Sequence, residues 1–169
     1  MKELEIYIDG ASKGNPGPSG IGVVICRDGE TIKNISSYIG KATNNVAEYT
    51  ALIYGLQEGL VAKAESIKIN TDSQLLYRQI TKAYKVKNAN LLGLYNQALH
   101  LMSAFKKVKI NHISRTQNCG ADKLASKAVK EGLKQGQVER GRALDGGTSR
   151  VRKVRALESN VMGNNHPPH

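Results

Sequence analysis

The sequence predicts an α/β protein in which a mixed five-stranded sheet is flanked by helices. Two observations lead to this expectation. Apolar residues alternate with polar ones in the first part of the chain, as in half-buried strands, and later recur at the spacing of helices. The predicted elements follow the order β-β-β-α-β-α-α-β-α, in which hairpins give way to crossovers. Three antiparallel strands followed by two parallel strands fit that order.

Antiparallel strands are predicted at the front of the chain. Leu4, Ile6 and Ile8 alternate with polar residues, so the first strand is expected to end at Asp9. Two apolar runs then lie on either side of Asp28-Gly29, a pair that favours a tight hairpin turn. The second and third strands should therefore form a hairpin.

Helices and crossover strands follow. Apolar spacings of three and four predict one helix from Thr43 onwards, with Glu48 near its start, and another over 89–107. Between them, the segment SIKINTDS indicates a buried strand that ends at Asp72, with a short helix behind it. The segment KVKINHIS predicts the fifth strand, and a last helix is expected over 121–135.

The chain is predicted to divide into a domain over 1–135 and a tail over 136–169. The domain is long enough to bury one hydrophobic core. Beyond Gln135 no period persists and large apolar side chains are few, which is typical of a disordered basic tail. His166 and His169 in this tail fit a solvated terminus better than a metal site, and a non-native extension would have the same composition.

Charge and cysteine content narrow the function classes. The net charge of +11 favours a polyanionic partner, although many proteins are basic without one. The first residues do not resemble a secretion signal, and no apolar run is long enough to span a bilayer, so a cytoplasmic protein is expected. Cys26 and Cys119 lack metal or redox spacing, so both are expected to be reduced.

Four carboxylates lie at the ends of predicted elements: Asp9 and Asp72 after two strands, and Glu48 and Asp122 near the starts of two helices. Local explanations exist, since Asp9-Gly10 fits a turn and Asp122 fits a helix cap. If the first and fourth strands are neighbours, however, Asp9 and Asp72 come close and need a cation or a proton between them. Oxygen ligands suit Mg²⁺ and Mn²⁺, so the four together indicate phosphoryl chemistry.

Four segments carry a resemblance to a known family. The chain is similar to the motif blocks of type 1 ribonucleases H, in the family's order, in YIDGASKGNPGPSGIGVVI, TNNVAEYTALIYGL, INTDSQLL and HISRTQNCGADKLASKAV. The resemblance covers residues 1 to about 134 and leaves the tail unmatched. It implies a ribonuclease H-like catalytic domain over 1–135 that hydrolyses the RNA strand of RNA/DNA hybrids.

The resemblance also implies the site residues. Two Mg²⁺ ions, with Mn²⁺ as a substitute, would be bound by Asp9, Glu48, Asp72 and Asp122. Two such ions can activate a water and stabilise the leaving oxygen, and the products would carry 5′-phosphate and 3′-hydroxyl ends. Substrate contacts are implied for Gly10, Gly14, Asn15, Thr43, Asn44, Asn45, Ser73 and Gln74.

The implied substrate contacts have separate roles. Asn15, Asn44 and Gln74 would probe the 2′-hydroxyl group that distinguishes RNA from DNA. Thr43 and Asn45 would contact the DNA strand, and Thr43 is explained equally well as a helix N-cap. The glycines of the first loop would let the minor groove approach the main chain.

Two features of some family members are absent from this sequence. The segment KAYKVKNANL is too short for the basic helical protrusion that follows the third acid, and residues 115–120 contain no histidine. His112 lies within a predicted strand, which favours a packed or surface histidine over a proton shuttle. Lys82, Lys85 and Lys87 are candidates for phosphate contacts, and a solvated lysine-rich loop explains them about as well.

An RNA/DNA hybrid is the expected partner, and the chain is expected to be a monomer with no membrane association and no obligatory protein partner. One alternative is a nuclease of the same fold that acts on another nucleic acid. A second is a non-catalytic module that binds hybrids or double-stranded RNA. The four carboxylates argue against this second alternative, because negative charges that face phosphates weaken binding.

Overall fold

Five strands form one mixed sheet. The computed structural model describes residues 3–146, with side chains as far as residue 142. The strands are β1 (Glu3–Ser12), β2 (Gly17–Arg27), β3 (Glu30–Ala42), β4 (Ser66–Thr71) and β5 (Lys107–His112). Their order across the sheet is β3-β2-β1-β4-β5, and β4 runs parallel to β1 and β5 while the other pairs are antiparallel. The predicted fold class is confirmed.

The described residues also contain four α-helices. They are α1 (Asn44–Val61), α2 (Gln74–Ile80), α3 (Ala89–Met102) and α4 (Cys119–Gly146), and a 3-10 turn over Thr116–Asn118 leads into α4. The chain separates into one compact unit that ends at Gly132 and a second that begins at Leu133. Within the described part of the chain, no helix is long and apolar enough to cross a membrane. Both cysteines are free.

The turn between β2 and β3 is the predicted one. Asp28 and Gly29 have φ angles of 51° and 79°, and a type I′ hairpin turn requires positive φ at both central residues. Strand β1 continues beyond its predicted end at Asp9, because its residues keep pairing with β2 as far as Ser12 and Ser19.

The hydrophobic core lies between the sheet and α1. Leu4, Ile6 and Ile8 of β1 are fully buried, as are Leu52 and Leu56 of α1. These residues alternate along the strand and lie four apart along the helix, so one face of each element is apolar. Each fully buried leucine or isoleucine stabilises the fold by roughly 1.5–3 kcal/mol relative to an exposed position.

Glycine in β2 lets α4 approach the sheet closely. A β-carbon on Gly22 would lie 2.0 Å from the main-chain oxygen of Ala121 and 2.7 Å from the main-chain nitrogen of Ala125. Gly22 is paired with Asp9 in the sheet. The close approach therefore brings the first turn of α4, which contains Asp122, next to Asp9.

Replacement of Gly22 with alanine is expected to destabilise the protein by about 1–3 kcal/mol, because the new methyl group would overlap main-chain atoms of α4. Gly93→Ala in α3 is the matched control, since a β-carbon there meets nothing within 4 Å and alanine favours helix more than glycine. Urea unfolding should show a lower midpoint for Gly22→Ala and an unchanged or higher one for Gly93→Ala. Equal midpoints for the two variants would contradict this account of the packing.

Helix α3 is shorter than the predicted helix over 89–107. It ends at Met102, and Lys107 belongs to β5. Phe105 belongs to the apolar stripe that predicted the longer helix, and it is 8% exposed and lies near Gly59 of α1. Phe105 reaches the core from the turn after α3 rather than from the helix. The apolar spacing therefore extends beyond the end of the helix, which is why the predicted helix was too long.

Helix α4 is longer than predicted, so the first part of the predicted disordered tail is helical instead. It continues past Gln135 to Gly146. Gln137, Arg140 and Arg142 are exposed residues of types that favour helix without any apolar stripe. A prediction based on apolar periodicity could not detect such a segment. The remainder of the predicted tail, with His166 and His169, lies outside the described residues.

Candidate active site

Three carboxylates converge at one edge of the sheet. Asp9, Glu48 and Asp72 each offer one oxygen, and these oxygens lie within 4.8 Å of one another. Asp9 belongs to β1, Glu48 to α1, and Asp72 directly follows β4. Since β1 and β4 are parallel neighbours, their carboxyl ends meet at the same edge, as the sequence predicts for Asp9 and Asp72.

Asp122 completes an acidic cluster, by which we mean Asp9, Glu48, Asp72 and Asp122. It lies in the first turn of α4. Burial, the charge on Asp72 and contact with Asp122 together raise the pKa of Asp9 to about 7. The structure therefore brings all four predicted carboxylates together.

Glu48 is deeply enclosed in the acidic cluster. Its exposed fraction is 4%, and burial together with the charges on Asp9 and Asp72 raises its pKa well above the usual range. Its Oε2 atom is buried and has no hydrogen-bond partner within the described residues. Repelling carboxylates with a free buried oxygen fit a hard divalent cation, which binds oxygen ligands.

Gly10 allows Glu48 to reach the acidic cluster. A β-carbon on Gly10 would lie 2.5 Å from the main-chain carbon of Ala47 and 2.5 Å from the main-chain nitrogen of Glu48. Gly10 is also buried. The structure thus gives Gly10 a packing role, and its contact with substrate remains a prediction.

The start of α1 is joined to the loop between β1 and β2. Thr43 is the N-cap of α1, because its Oγ1 accepts a hydrogen bond of 3.2 Å from the main-chain N–H of Val46. The Oδ1 of Asn15 accepts a hydrogen bond of 3.1 Å from the main-chain N–H of Asn44. Asn15, Asn44 and Asn45 are exposed, so their side chains are open to a ligand.

Gly14 lies in the same loop, next to Asn15. Its φ angle of 98° falls in the region that glycine adopts without strain. The residue is exposed. The main chain of this loop is therefore accessible to a large partner, as expected for a substrate contact.

The start of α2 lies directly after Asp72. Ser73 is its N-cap and accepts a hydrogen bond of 3.2 Å from the main-chain N–H of Leu76. Gln74 is the first helical residue. With its side-chain oxygen directed at Arg78, that oxygen accepts hydrogen bonds of 2.9 Å from Nη2 and 3.2 Å from Nε. Arg78 therefore restricts the orientation of a predicted substrate contact.

The loop after α2 contains the candidate phosphate contacts. The Arg78 guanidinium lies over the ring of Tyr84, 5.1 Å from its centroid, and anchors the loop. Lys82, Lys85 and Lys87 are exposed and form no ion pair within the described residues. The phosphate contact of these lysines therefore stays a prediction.

His112 lies on β5 beside the main chain of Asp72. Its Nε2 is 3.3 Å from the Asp72 carbonyl oxygen, and its ring centroid is 5.7 Å from that of Tyr77. It is exposed. Of the two predicted alternatives, a packed or a surface histidine, the structure shows the surface one, and the exclusion of a proton shuttle stays a prediction.

One residue at this site, Asn118, was not predicted. It lies in the 3-10 turn before α4 and is 1% exposed. Its Nδ2 donates hydrogen bonds to the carbonyl oxygen of Ile8 at 2.8 Å and to Oδ2 of Asp72 at 3.4 Å. The only signal in the sequence was its position one helical turn before Asp122. Asparagine is so common in turns that this position alone indicates nothing more.

Comparison with known proteins identifies the family. Residues 7–128 match a family model described as reverse transcriptase-like. The crystal structure of ribonuclease H1 from Halobacterium salinarum is 37% identical in sequence, with a TM-score of 0.75, and covers 76% of this chain and 98% of that one. The chain belongs to the type 1 ribonuclease H family. All four carboxylates of the acidic cluster lie inside the matched residues.

Two further proteins are similar to this chain and differ in how much of their own length it covers. LC11 ribonuclease H1, solved in complex with an RNA/DNA hybrid, is 38% identical, has a TM-score of 0.73, and covers 77% of this chain and 99% of its own. A bifunctional protein of Mycobacterium tuberculosis is 42% identical over 129 residues, which are 75% of this chain and 35% of that protein. The chain thus spans about a third of the length of this mycobacterial relative.

Proposed function

We propose that the domain over 1–135 is a metal-dependent endoribonuclease that hydrolyses the RNA strand of RNA/DNA hybrids. The acidic cluster carries the proposal, with three carboxylate oxygens within 4.8 Å and a fourth carboxylate against Asp9. An all-oxygen ligand set suits Mg²⁺ or Mn²⁺. The net charge of +11 supports a polyanionic substrate, and a family member of similar structure was solved with a hybrid.

The acidic cluster would hold two Mg²⁺ ions, or Mn²⁺ in their place. Ions bound there supply activation of a water and stabilisation of the leaving oxygen, which leaves 5′-phosphate and 3′-hydroxyl ends. Asp9 and Glu48 present their oxygens from a strand and a helix, so the ligands are held rigidly. Because their pKa values are raised, both must release protons before they bind cations.

Three groups of residues would contact the hybrid, one at the 2′-hydroxyl groups, one at the DNA strand and one at the phosphates. Asn15 and Asn44, which are hydrogen-bonded to each other, and Gln74, beside Asp72, would probe the 2′-hydroxyl. The DNA strand would meet Thr43 and Asn45, and phosphates would meet Lys82, Lys85 and Lys87. We expect the enzyme to act as a cytoplasmic monomer without an obligatory protein partner.

Cleavage of four matched duplexes tests the proposal. The substrates are RNA/DNA, RNA/RNA, DNA/DNA and DNA with a single ribonucleotide, each with Mg²⁺, Mn²⁺ or EDTA. We expect metal-dependent cutting of the RNA strand in the hybrid and no cutting of DNA/DNA. Cutting of another duplex in preference would indicate a related nuclease with a different substrate. Hybrid binding without cleavage would indicate a non-catalytic module.

A further inference from the structure

Asn118 is hydrogen-bonded to both chain segments that carry Asp9 and Asp72. Its side-chain amide donates both to the main chain of β1, at the Ile8 carbonyl oxygen, and to Oδ2 of Asp72 after β4. A carboxamide carries two N–H groups, so one nitrogen can serve both acceptors. Ile8 directly precedes Asp9 in the chain. The contacts of one side chain therefore relate the position of Asp72 to that of Asp9.

Asn118 also lies just before the helix that carries the fourth carboxylate, Asp122. Asn118 is the last residue of the 3-10 turn, and α4 begins at the next residue and carries Asp122 in its first turn. The bond to Ile8 therefore fixes the point from which α4 starts. Without that bond, the position of Asp122 beside Asp9 would depend on the packing of α4 against Gly22 and on the hydrogen bond of 2.7 Å from Ser36 Oγ to the Leu124 carbonyl oxygen.

The other polar atom of Asn118, Oδ1, is left without a partner in the part of the chain that the structure describes. This atom is buried and has no hydrogen-bond partner within the described residues. An unpaired buried acceptor destabilises a fold, and an apolar side chain of similar size would avoid that penalty only by taking the Asn118 donor away from the buried Ile8 carbonyl oxygen. In the site, the free Oδ1 offers an acceptor for a water.

We propose that Asn118 is a positioning residue that aligns Asp72 and the start of α4 with Asp9, so that the acidic cluster can bind divalent cations. This inference rests on the proposed function, because it assumes that the acidic cluster binds metal. It gives Asn118 no direct contact with substrate or with the reacting atoms.

Two variants separate this role from simple loss of packing. Asn118→Ala removes the amide, and Asn118→Leu removes it while keeping most of the volume, so that a cavity cannot explain a shared effect. Asn111→Ala is the control, because Asn111 on β5 donates a comparable hydrogen bond, 3.1 Å to Oδ1 of Asn70, and neither residue belongs to the acidic cluster. The leucine variant also covers the case in which the alanine variant does not fold.

The test measures kcat and KM on a hybrid, and the Mg²⁺ concentration at which the thermal unfolding temperature has shifted halfway. Supports of metal ligands typically contribute about 10–100-fold to metal affinity or activity. We therefore expect kcat of both Asn118 variants to fall by about that factor at fixed Mg²⁺, with KM for the hybrid changed by less than about threefold. The Mg²⁺ midpoint should rise, and added Mg²⁺ should restore part of the lost rate. Asn111→Ala should match the wild type in all of these.

The outcomes distinguish this inference from the proposed function. If the wild type neither cuts the hybrid nor is stabilised by Mg²⁺, the proposed function fails and the inference fails with it. If the wild type does both, and the Asn118 variants keep its kcat and Mg²⁺ midpoint, only the positioning role is overturned. Lower stability of the variants at an unchanged Mg²⁺ midpoint would also overturn it.

Discussion

Asp72→Asn is expected to reduce kcat on the hybrid by at least about a thousandfold, which corresponds to roughly 4 kcal/mol of activation free energy. The Asp72 carboxylate oxygen lies within 4.8 Å of those of both Asp9 and Glu48. An amide is neutral, so it is a much weaker ligand for a hard cation than a carboxylate of the same shape. Hybrid binding should survive, because the substitution removes a negative charge near the phosphates.

Steady-state cleavage at saturating hybrid in Mg²⁺, which gives kcat, and fluorescence anisotropy in EDTA measure the two effects separately. Asp28→Asn is the matched control, because Asp28 lies in the hairpin turn between β2 and β3 and asparagine tolerates its φ of 51°. The control should cut and bind as the wild type does. A normal rate for Asp72→Asn in Mg²⁺ would show that the metal assignment is wrong.

The metal-free protein is expected to lose stability as pH rises from about 4 to above 7. Burial and the charge on Asp72 raise the pKa of Asp9 from 3.8 to about 7, and burial raises that of Glu48 in the same direction. In this window the folded protein keeps protons that the unfolded chain has released. The free energy of unfolding therefore decreases as pH increases, by roughly 4 kcal/mol for Asp9 alone.

Mg²⁺ should reverse this dependence, because cations bind the deprotonated carboxylates and replace the protons between them. Urea midpoints measured from about pH 4 to pH 8, in EDTA and in Mg²⁺, test the expectation. The stabilisation by Mg²⁺ should grow with pH, and Asp9→Asn should flatten the slope seen in EDTA. A midpoint in EDTA that does not change with pH would contradict the proposed protonation of the acidic cluster.

The parts of this fold that could be predicted are those with a repeating or local signal. Alternation in β1 and the Asp28-Gly29 pair identified the strands and their hairpin, and the crossover between β1 and β4 brought Asp9 near Asp72. Glu48 and Asp122 also lie at predicted element starts, but their role as ligands was implied by the resemblance to a family.

The features that could not be predicted depend on contacts between distant segments. Gly22 has a close neighbour in α4, about a hundred residues away in the sequence, and nothing near it in the chain indicates that contact. Asn118 likewise bonds to Ile8, and its own neighbours suggest only a turn. Helix α4 beyond Gln135 lacks the apolar stripe on which the prediction relied.

The strand that carries Asp9 is the central one of the sheet. Strand β1 is paired with β2 on one side and with β4 on the other. Interior strands open only in the rarest fluctuations of a protein, whereas a helix that packs on one face of a sheet can detach more readily. We therefore expect the carboxylates of the acidic cluster to differ in how long they stay in place, because Asp9 lies on the central strand and Asp122 on a helix at the face of the sheet. Transient opening would remove the fourth carboxylate first and leave the central one in place.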